Sequence, residues 1–167
     1  RIISVIDLNS HYFVPELLLN SKIKEILEEL FNEKRDIDIS NWKNFTSKLN
    51  RGEKIKKVGI LGKYVELKDA YISLKEALIH SQVETDTKIE TIWISSEDLK
   101  NLERNINEVD GVIIPGGFGK RGIEGMIEGA KICRLSKKPL LGICLGLQVI
   151  IIEFFRNVAG LNDSNST

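Results

Sequence analysis

The chain has 167 residues, and 42% of them are hydrophobic, which is enough for one domain with its own core and a smaller appendage. Lysine plus arginine and aspartate plus glutamate each number 24, so the formal charge is zero, and neither nucleic acid nor an anionic membrane is expected as a partner. No apolar run is long enough to cross a membrane, and the N-terminus has no signal-peptide pattern, so we expect a cytoplasmic protein. Two cysteines and two histidines fit neither a disulfide framework nor a zinc site, so no metal is expected and both thiols should be reduced.

The first 50 residues are predicted to be mainly helical. Apolar residues after Pro15 recur with a period near 3.6, from Leu18 to Leu30. A charged segment at 32–38 predicts a solvated loop, and a second short helix is expected to begin at Ser40, whose hydroxyl can cap it. Two short helices bury too little surface to fold alone. We therefore expect a short helical appendage that packs on something else.

From Lys54 onwards, short apolar runs rich in β-forming residues alternate with helical patterns. Strands are predicted over residues 56–62, 88–94, 110–116 and 138–144. Helices are predicted over residues 69–82, 96–106, 122–136 and 145–160, the second of them capped by Ser96. This alternation predicts an α/β fold with an open, mainly parallel sheet and helices on both faces, as in flavodoxin-like proteins. Ligands of such sheets bind at the carboxyl ends of the strands.

The sequence Gly142-Ile-Cys144-Leu-Gly146 has the form of a nucleophile elbow, a sharp strand-to-helix turn that exposes a reactive side chain. Such a turn strains the backbone of its central residue, and small residues two positions before and after it avoid steric clashes. The positive end of the helix that begins at Leu145 stabilises a thiolate, and its free N–H groups can bind an oxyanion. The pattern favours a nucleophile at Cys144 over a packed thiol. Cys133 lies inside a helical pattern without flanking glycines and is predicted to be a core residue.

The glycine-rich sequence PGGFGKRG, at residues 115–122, follows the third predicted strand. Its glycines can expose successive backbone N–H groups to an anion. The spacing of Gly117, Gly119 and Gly122 also matches the dinucleotide fingerprint, but that fingerprint belongs to the first strand of its unit and needs a later acidic residue that is missing here. The sequence GILGKY around Lys63 lacks the glycine spacing and the hydroxyl of a phosphate-binding loop. No nucleotide site is predicted.

A cysteine nucleophile needs a base, and the two histidines are poor candidates. His80 lies late in the helix predicted over 69–82, and His11 lies in the appendage. Both positions are typical of partly exposed histidines without a catalytic role. The elbow therefore has no convincing partner among the residues of this sequence.

Three segments resemble one family of enzymes. VGILGKYVELKDAYISLKEAL at 58–78, GVIIPGGFGKRGIEGMI at 111–127 and PLLGICLGLQVIIIEFFRNVAGLNDSNST at 139–167 resemble the glutamine amidotransferase domain of the CTP synthase family, a class I amidotransferase. Residues 1–53 resemble the closing helices of that family's synthetase domain and its interdomain linker. Residues 54–167 resemble the N-terminal part of the glutaminase domain. Lys68 stands where the family usually has proline.

The resemblance implies a chemistry and a set of site residues. Glutamine is hydrolysed at a Cys-His-Glu triad, and the ammonia aminates UTP to CTP in a reaction of the full-length enzyme that uses ATP and Mg²⁺, with GTP as activator, in a homotetramer. Cys144 aligns with the nucleophile that forms a γ-glutamyl thioester. The backbone N–H groups of Gly117 and Leu145 align with the oxyanion hole. The residues implied to hold the substrate L-glutamine are Gly116, Phe118 and Gln148.

In this family the histidine and glutamate of the triad lie far beyond the elbow, whereas the sequence ends at Thr167. We therefore expect an incomplete piece of such an enzyme, which should not hydrolyse glutamine at a useful rate alone. The loss of general acid–base assistance costs on the order of 10²–10⁴-fold in rate. Two alternatives remain, namely a different flavodoxin-like cysteine enzyme that uses His80 as its base, and a non-catalytic binding module of amidotransferase fold.

Overall fold

The computed structural model describes residues 3, 4, 6–49 and 51–166, apart from the side chain of Lys68, so the effect of lysine in place of proline there lies outside the described residues. The chain divides into two compact units between Arg51 and Gly52. This division lies two residues before the boundary expected at 53–54, and the assignment of the first unit to a synthetase domain stays a prediction. Within the described ranges, no helix has the length and apolar character needed to span a bilayer.

The first unit consists of short helices. They are a 3-10 turn at His11–Phe13, α1 (Val14–Leu19), α2 (Ile23–Phe31) and α3 (Ser40–Lys48). Tyr12 is buried against the rings of Trp42 and Phe45, and Trp42 Nε1 donates a hydrogen bond to the carbonyl of Tyr12 at 2.8 Å. The Thr46 hydroxyl donates to the Glu16 carboxylate at 2.5 Å. These contacts hold α3 against the segment that begins α1.

The second unit is built on a sheet of four parallel strands. The strands are β1 (Lys54–Gly62), β2 (Thr87–Ser95), β3 (Gly111–Ile114) and β4 (Leu140–Gly142). They lie in the order β2-β1-β3-β4, and each neighbouring pair is parallel. The open parallel sheet predicted from the sequence is therefore confirmed. Because all four strands run the same way, their carboxyl ends lie at one edge of the sheet.

Four helices connect or follow these strands. They are α4 (Ile72–Thr85), which follows a 3-10 turn at Lys68–Tyr71, α5 (Leu102–Asn107), α6 (Ile123–Leu135) and α7 (Leu145–Asn157). The chain steps from β1 to β2 in one direction and from β2 through β3 to β4 in the other. Right-handed crossovers therefore put α4 on one face of the sheet and α5 and α6 on the other. Helix α7 packs against α6, β3 and β4.

Three details of the predicted helices were wrong. The first predicted helix is divided in two by a turn at residues 20–22. Ser40 begins α3 as predicted, but its side chain does not cap the helix, because the Asp38 carboxylate accepts hydrogen bonds from the Ser40 N–H at 2.8 Å and hydroxyl at 3.1 Å. Ser96 caps nothing either, since it is buried and α5 begins only at Leu102 after a series of turns.

The hydrophobic core of the second unit lies between the sheet and helices α5, α6 and α7. Its most deeply buried members from the strands are Leu61, Ile94 and Ile114, and those from the helices are Leu102, Ile106, Met126, Cys133 and Val149. Among the described residues, one ion pair has a buried carboxylate, and it joins α6 to α7. Arg134 of α6 donates three hydrogen bonds of 2.8 to 3.1 Å to Glu153 of α7, whose side chain is 2% exposed.

The buried ion pair leads to a prediction about stability. We expect Arg134→Met to lower the free energy of unfolding by about 2–4 kcal/mol, because the variant leaves the Glu153 carboxylate buried without its cation. The matched control is Arg104→Met, since Arg104 pairs with Glu108 at 3.9 Å and both side chains are about two-thirds exposed or more. That change should cost less than about 0.5 kcal/mol. Urea unfolding of both variants is the measurement, and equal small effects would contradict the prediction.

Candidate active site

Cys144 lies in a sharp turn between the last strand and the last helix. Strand β4 ends at Gly142, α7 begins at Leu145, and the thiol of Cys144 is exposed. Its backbone has φ 53° and ψ −108°, in the left-handed half of the conformational map. A residue with a side chain pays about 1–3 kcal/mol for such a conformation. The strain expected of a nucleophile elbow is therefore present at this cysteine.

The two glycines that flank Cys144 are required by close approaches. A β-carbon at Gly142 would lie 2.6 Å from the carbonyl carbon and oxygen of Gly146. A β-carbon at Gly146 would overlap the carbonyl group of Ile114, at the end of β3. Because there is no room for a side chain at either position, the first turn of α7 can pack directly on the strand ends. This packing fixes the position and direction of the Cys144 side chain.

The glycine-rich loop at 115–122 lies beside the thiol. A β-carbon at Gly116 would lie 3.5 Å from the Cβ of Cys144, and one at Gly117 would lie 3.4 Å from Cδ2 of Leu145. The N–H of Ile143 donates to the carbonyl of Ile114 at 2.9 Å, which holds the segment before the elbow against the end of β3. The loop after β3 and the turn after β4 thus form two walls of one site.

These two walls enclose a cleft of about 670 Å³. Five of the six residues that the resemblance implies line it, namely Gly117, Phe118, Cys144, Leu145 and Gln148. The sixth, Gly116, belongs to the same loop and lies next to Cys144, outside the lining of the cleft. Six further residues that sequence analysis did not assign to the site also line the cleft: Gly119, Lys120, Ile123, Glu124, Asn165 and Ser166.

The segment after α7 forms the third wall. The Ser166 hydroxyl donates to Oε1 of Gln148 at 3.2 Å. Arg156 ties the segment to the rest of the unit, because its Nε donates to the carbonyl of Ser164 at 2.7 Å and its Nη1 contacts the Glu124 carboxylate at 3.0 Å. Sequence analysis missed this wall, although Gly160, at φ 74°, marks the turn that returns the chain to the cleft.

Neither histidine lines the cleft. His80 lies late in α4, which packs on β2 at one edge of the sheet, whereas Cys144 follows β4 at the other edge. The C-terminal end of α4 leads into the first residue of β2, so His80 is also close to the opposite end of the strands. His11 belongs to the first unit. A metal site is not indicated either, since the described part of the chain contains no cluster of three or more histidine, cysteine, aspartate or glutamate side chains.

Comparisons with known proteins identify the family of this site. The family described as glutamine amidotransferase class-I matches residues 66–166, which include the elbow and the glycine-rich loop. The chain belongs to the class I glutamine amidotransferases. The resemblance noticed in the sequence is therefore confirmed.

Two relatives match this amidotransferase chain over almost its whole length. The CTP synthase of Hydrogenobaculum sp. (strain Y04AAS1) is 42% identical over 168 residues, which cover 100% of this chain and 31% of that protein. The CTP synthase of Methanocaldococcus jannaschii is 41% identical over 175 residues, which cover 99% of this chain and 32% of that protein. The chain therefore spans about a third of the length of the curated relatives that it matches.

A solved structure supports the same fold. The Trypanosoma brucei CTPS glutaminase domain, solved with bound acivicin, is 32% identical to the matched part and aligns with a TM-score of 0.63. The alignment covers 66% of this chain and 44% of that chain. The predicted fold, that of a class I amidotransferase with helices on both faces of a parallel sheet, is confirmed.

The elbow of this amidotransferase gives a prediction about its second glycine. We expect Gly146→Ala to lower the free energy of unfolding by about 2–4 kcal/mol, since the new methyl group meets a backbone carbonyl that cannot turn aside. The same change should slow alkylation of Cys144, because α7 must move away from β3. Gly111→Ala is the control, since its methyl group would find ordinary contacts of 3.5 Å. Urea unfolding with timed iodoacetamide labelling tests both effects, and similar results for the two variants would disprove the packing argument.

The two thiols of the amidotransferase unit should differ strongly in reactivity. Cys133 is fully buried, and burial raises its pKa to about 11, whereas Cys144 is exposed. At pH 8 only about one Cys133 in 10³ is ionised, so iodoacetamide should label Cys144 at least about 10² times faster. Labelling of Cys133 should grow as the pH rises towards 11. Peptide mass spectrometry after brief treatment is the measurement, with urea-unfolded protein as the control in which both thiols react. Preferential labelling of Cys133 in the folded protein would contradict the prediction.

Proposed function

We propose that this chain carries the glutamine-hydrolysing site of a CTP synthase, with Cys144 as the nucleophile. The observation that carries the proposal is the strained, exposed cysteine at the start of α7, beside the glycine-rich loop after β3, in a chain of the class I amidotransferase family. A buried structural thiol needs neither the strained backbone nor the two glycines without room for a side chain. Both features have a use when the sulfur must reach a substrate in the cleft.

In the proposed reaction, the sulfur of Cys144 attacks the γ-carboxamide carbon of glutamine. A C–S bond forms and the carbonyl oxygen becomes an oxyanion, which accepts hydrogen bonds from the N–H groups of Gly117 and Leu145. In support, neither N–H group donates a hydrogen bond to any described residue. The C–N bond then breaks, ammonia leaves after its nitrogen has gained a proton, and water hydrolyses the thioester to glutamate and the free thiol.

The same cleft accounts for a preference for glutamine. Gln148 lies one helical turn beyond Cys144, so its side chain can reach a substrate whose γ-carbon is at the sulfur. Ser166 donates to Oε1 of Gln148, which leaves the amide NH₂ group of Gln148 as a donor for the substrate. Phe118 lines the same cleft, and Gly116 lies next to Cys144 in the same loop. We propose that these residues hold L-glutamine in the cleft.

The proton transfers need a partner that the described residues do not supply to Cys144. The family resemblance assigns this role to a histidine and a glutamate in the part of a CTP synthase beyond the aligned third. The rival assignment to His80 is weakened by its place on α4, at the far edge of the sheet from the thiol. We therefore assign no base within this chain.

The names of the relatives support a proposal about the wider activity. We propose that the ammonia passes to a synthetase site at which UTP is aminated to CTP with ATP and Mg²⁺, that GTP activates the enzyme, and that the enzyme is a cytoplasmic homotetramer. Residues 1–53 then end the synthetase domain and form the linker, and residues 54–167 begin the glutaminase domain. No described residue is assigned to ATP or magnesium, since the loop around Lys63 has no phosphate-binding pattern and no metal-binding cluster is found among the described side chains.

Acylation by an activated glutamate ester tests the proposed nucleophile without the missing base. In L-glutamate γ-p-nitrophenyl ester the leaving group departs as p-nitrophenolate and needs no proton. Cys144 should displace it and retain the γ-glutamyl group as a thioester, seen as a burst of colour and a mass increase on the Cys144 peptide. We expect Cys144→Ala to abolish both signals and Cys133→Ala to keep them. The D-enantiomer is the specificity control, and equal acylation by the two enantiomers would indicate a reactive thiol without a glutamine site.

Linking the chain to the rest of a CTP synthase tests the wider activity. We expect Cys144→Ala in that protein to lose CTP formation from glutamine and to keep CTP formation from added ammonium chloride, because only the nitrogen source has changed. Loss of both activities, or retention of both, would contradict the assignment of Cys144 to glutamine hydrolysis.

A further inference from the structure

Lys63 is a buried cation that the proposed reaction does not use. It directly follows β1, the strand next to β3, and it is 4% exposed. Among the described residues, no carboxylate lies within ion-pair distance of its ammonium group. Burial lowers the pKa of Lys63 from its usual value, which reflects the cost of keeping this charge away from water. A buried ammonium group without a carboxylate partner must be stabilised by other hydrogen-bond acceptors.

The ammonium group of Lys63 binds the underside of the glycine-rich loop. Its Nζ donates to the carbonyl of Phe118 at 3.1 Å and, closer still, to the carbonyl of Gly119. The alkyl stem passes below the whole loop, because its Cε lies 4.0 Å from the β-carbon position of Gly117 and its Cγ lies 3.4 Å from that of Gly122. The loop is therefore wrapped over one lysine side chain.

Little else holds this part of the loop. In the part of the chain that the structure describes, Lys63 is the source of the hydrogen bonds made to residues 116–119. Phe118 is 89% exposed, so its ring packs on nothing that could anchor the segment. Glycines at three of the four positions give the backbone wide conformational freedom. The conformation of the loop thus depends on the two hydrogen bonds from Lys63.

These hydrogen bonds also determine where the loop points its N–H groups. In a trans peptide the N–H group points opposite to the carbonyl group. With the carbonyls of Phe118 and Gly119 directed at Lys63, the N–H groups of Gly119 and Lys120 point away from it. Lys63 lies outside the Cys144 cleft, whereas residues 117–120 line it, so the loop separates the ammonium group from the cleft. These two N–H groups therefore point to the cleft side of the loop. The Gly117 N–H assigned to the oxyanion belongs to an earlier peptide of the same loop, and the Cβ position of Gly117 lies 4.0 Å from Cε of Lys63.

We propose that Lys63 is a positioning residue for glutamine hydrolysis, which holds residues 118 and 119 of the glycine-rich loop and thereby keeps the neighbouring Gly117 N–H in place for the oxyanion formed at Cys144. This inference rests on the proposed function of the cleft. Lys63 touches neither the sulfur nor the substrate, and it acts through the carbonyl groups of Phe118 and Gly119. Its positive charge, behind the loop, also favours the negative charge that develops on the other side.

Two reactions of the same sulfur separate this role from general support of the fold. Acylation by L-glutamate γ-p-nitrophenyl ester forms an oxyanion and needs the loop. Alkylation by iodoacetamide is a displacement at a saturated carbon and forms no oxyanion. The variant Lys63→Met removes the ammonium group and keeps most of the stem. The matched control is Lys57→Met, an exposed lysine on the same strand.

We expect Lys63→Met to slow acylation by about tenfold to a hundredfold and to change the alkylation rate of Cys144 by less than about twofold. Lys63→Arg, which keeps a cationic donor, should recover part of the acylation rate, and Lys57→Met should leave both rates unchanged. Acylation at the wild-type rate in Lys63→Met would overturn the inference. A parallel loss of both rates would also overturn it, since Lys63 would then only support the fold.

Failure of the proposed function gives a different result, because the wild-type protein would then alkylate at Cys144 and not acylate at all. A measurement on the wild-type protein covers the case in which Lys63→Met does not fold. The ζ-ammonium protons of Lys63, held by two carbonyl groups, should give a ¹⁵N-correlated signal that is protected from water exchange and absent from Lys63→Arg. Lack of a protected signal would overturn the inference.

Discussion

The order of the strands determines which groups can meet in the cleft. Strands β1, β3 and β4 are neighbours in one parallel sheet, so their carboxyl ends lie side by side. Lys63 follows the first of them, the glycine-rich loop follows the second, and Cys144 follows the third. Residues from distant parts of the sequence therefore come together without any special contact between the segments that carry them. A different strand order would separate the loop from the thiol even if every local structure were kept.

Within this arrangement, the strained backbone of Cys144 is what directs its side chain into the cleft. Cys144 accepts an unfavourable backbone conformation, and the packing of α7 on the ends of β3 and β4 compensates for it. The buried Arg134–Glu153 pair and the core residues of α6 and α7 hold the helix in that place. The rigid side of the cleft is thus the helix, and the side that depends on a few hydrogen bonds is the loop.

The sequence was sufficient wherever the signal was local. The glycines on either side of Cys144 predicted the strained turn, because their spacing around the cysteine can be seen within five residues, although the contact that excludes a side chain at Gly146 is with Ile114. The alternation of strands and helices predicted the parallel sheet. The start of α5 was predicted wrongly because Ser96 looks like a cap, yet its backbone packs closely on α6 at Gly125, a contact that only the tertiary structure reveals.

Lys63 and the segment after α7 were missed for the same reason. In the sequence, the lysine after GILG looks like an incomplete phosphate-binding loop, whereas its partner carbonyls lie more than 50 residues away. The wall at Asn165 and Ser166 depends on Arg156 and Glu124, which belong to different helices. The sequence did contain one indication of the role of Lys63. A lysine placed directly after a buried strand is expected to be buried itself, and its ammonium group then needs hydrogen-bond acceptors.

The close approach at Gly146 has a consequence for how this site can change during evolution. A methyl group there meets the backbone carbonyl of Ile114, and a backbone atom is the same whatever residue carries it. No second substitution can make room, so the position is closed to stepwise exchange. Gly129 of α6 differs, because its methyl group would meet the side chain of Leu61, and a smaller residue at that position could compensate. In the core beneath α6, a substitution of Gly129 can therefore be compensated by a second substitution at Leu61. At the elbow, Gly146 must stay glycine, and only the residues around it can change.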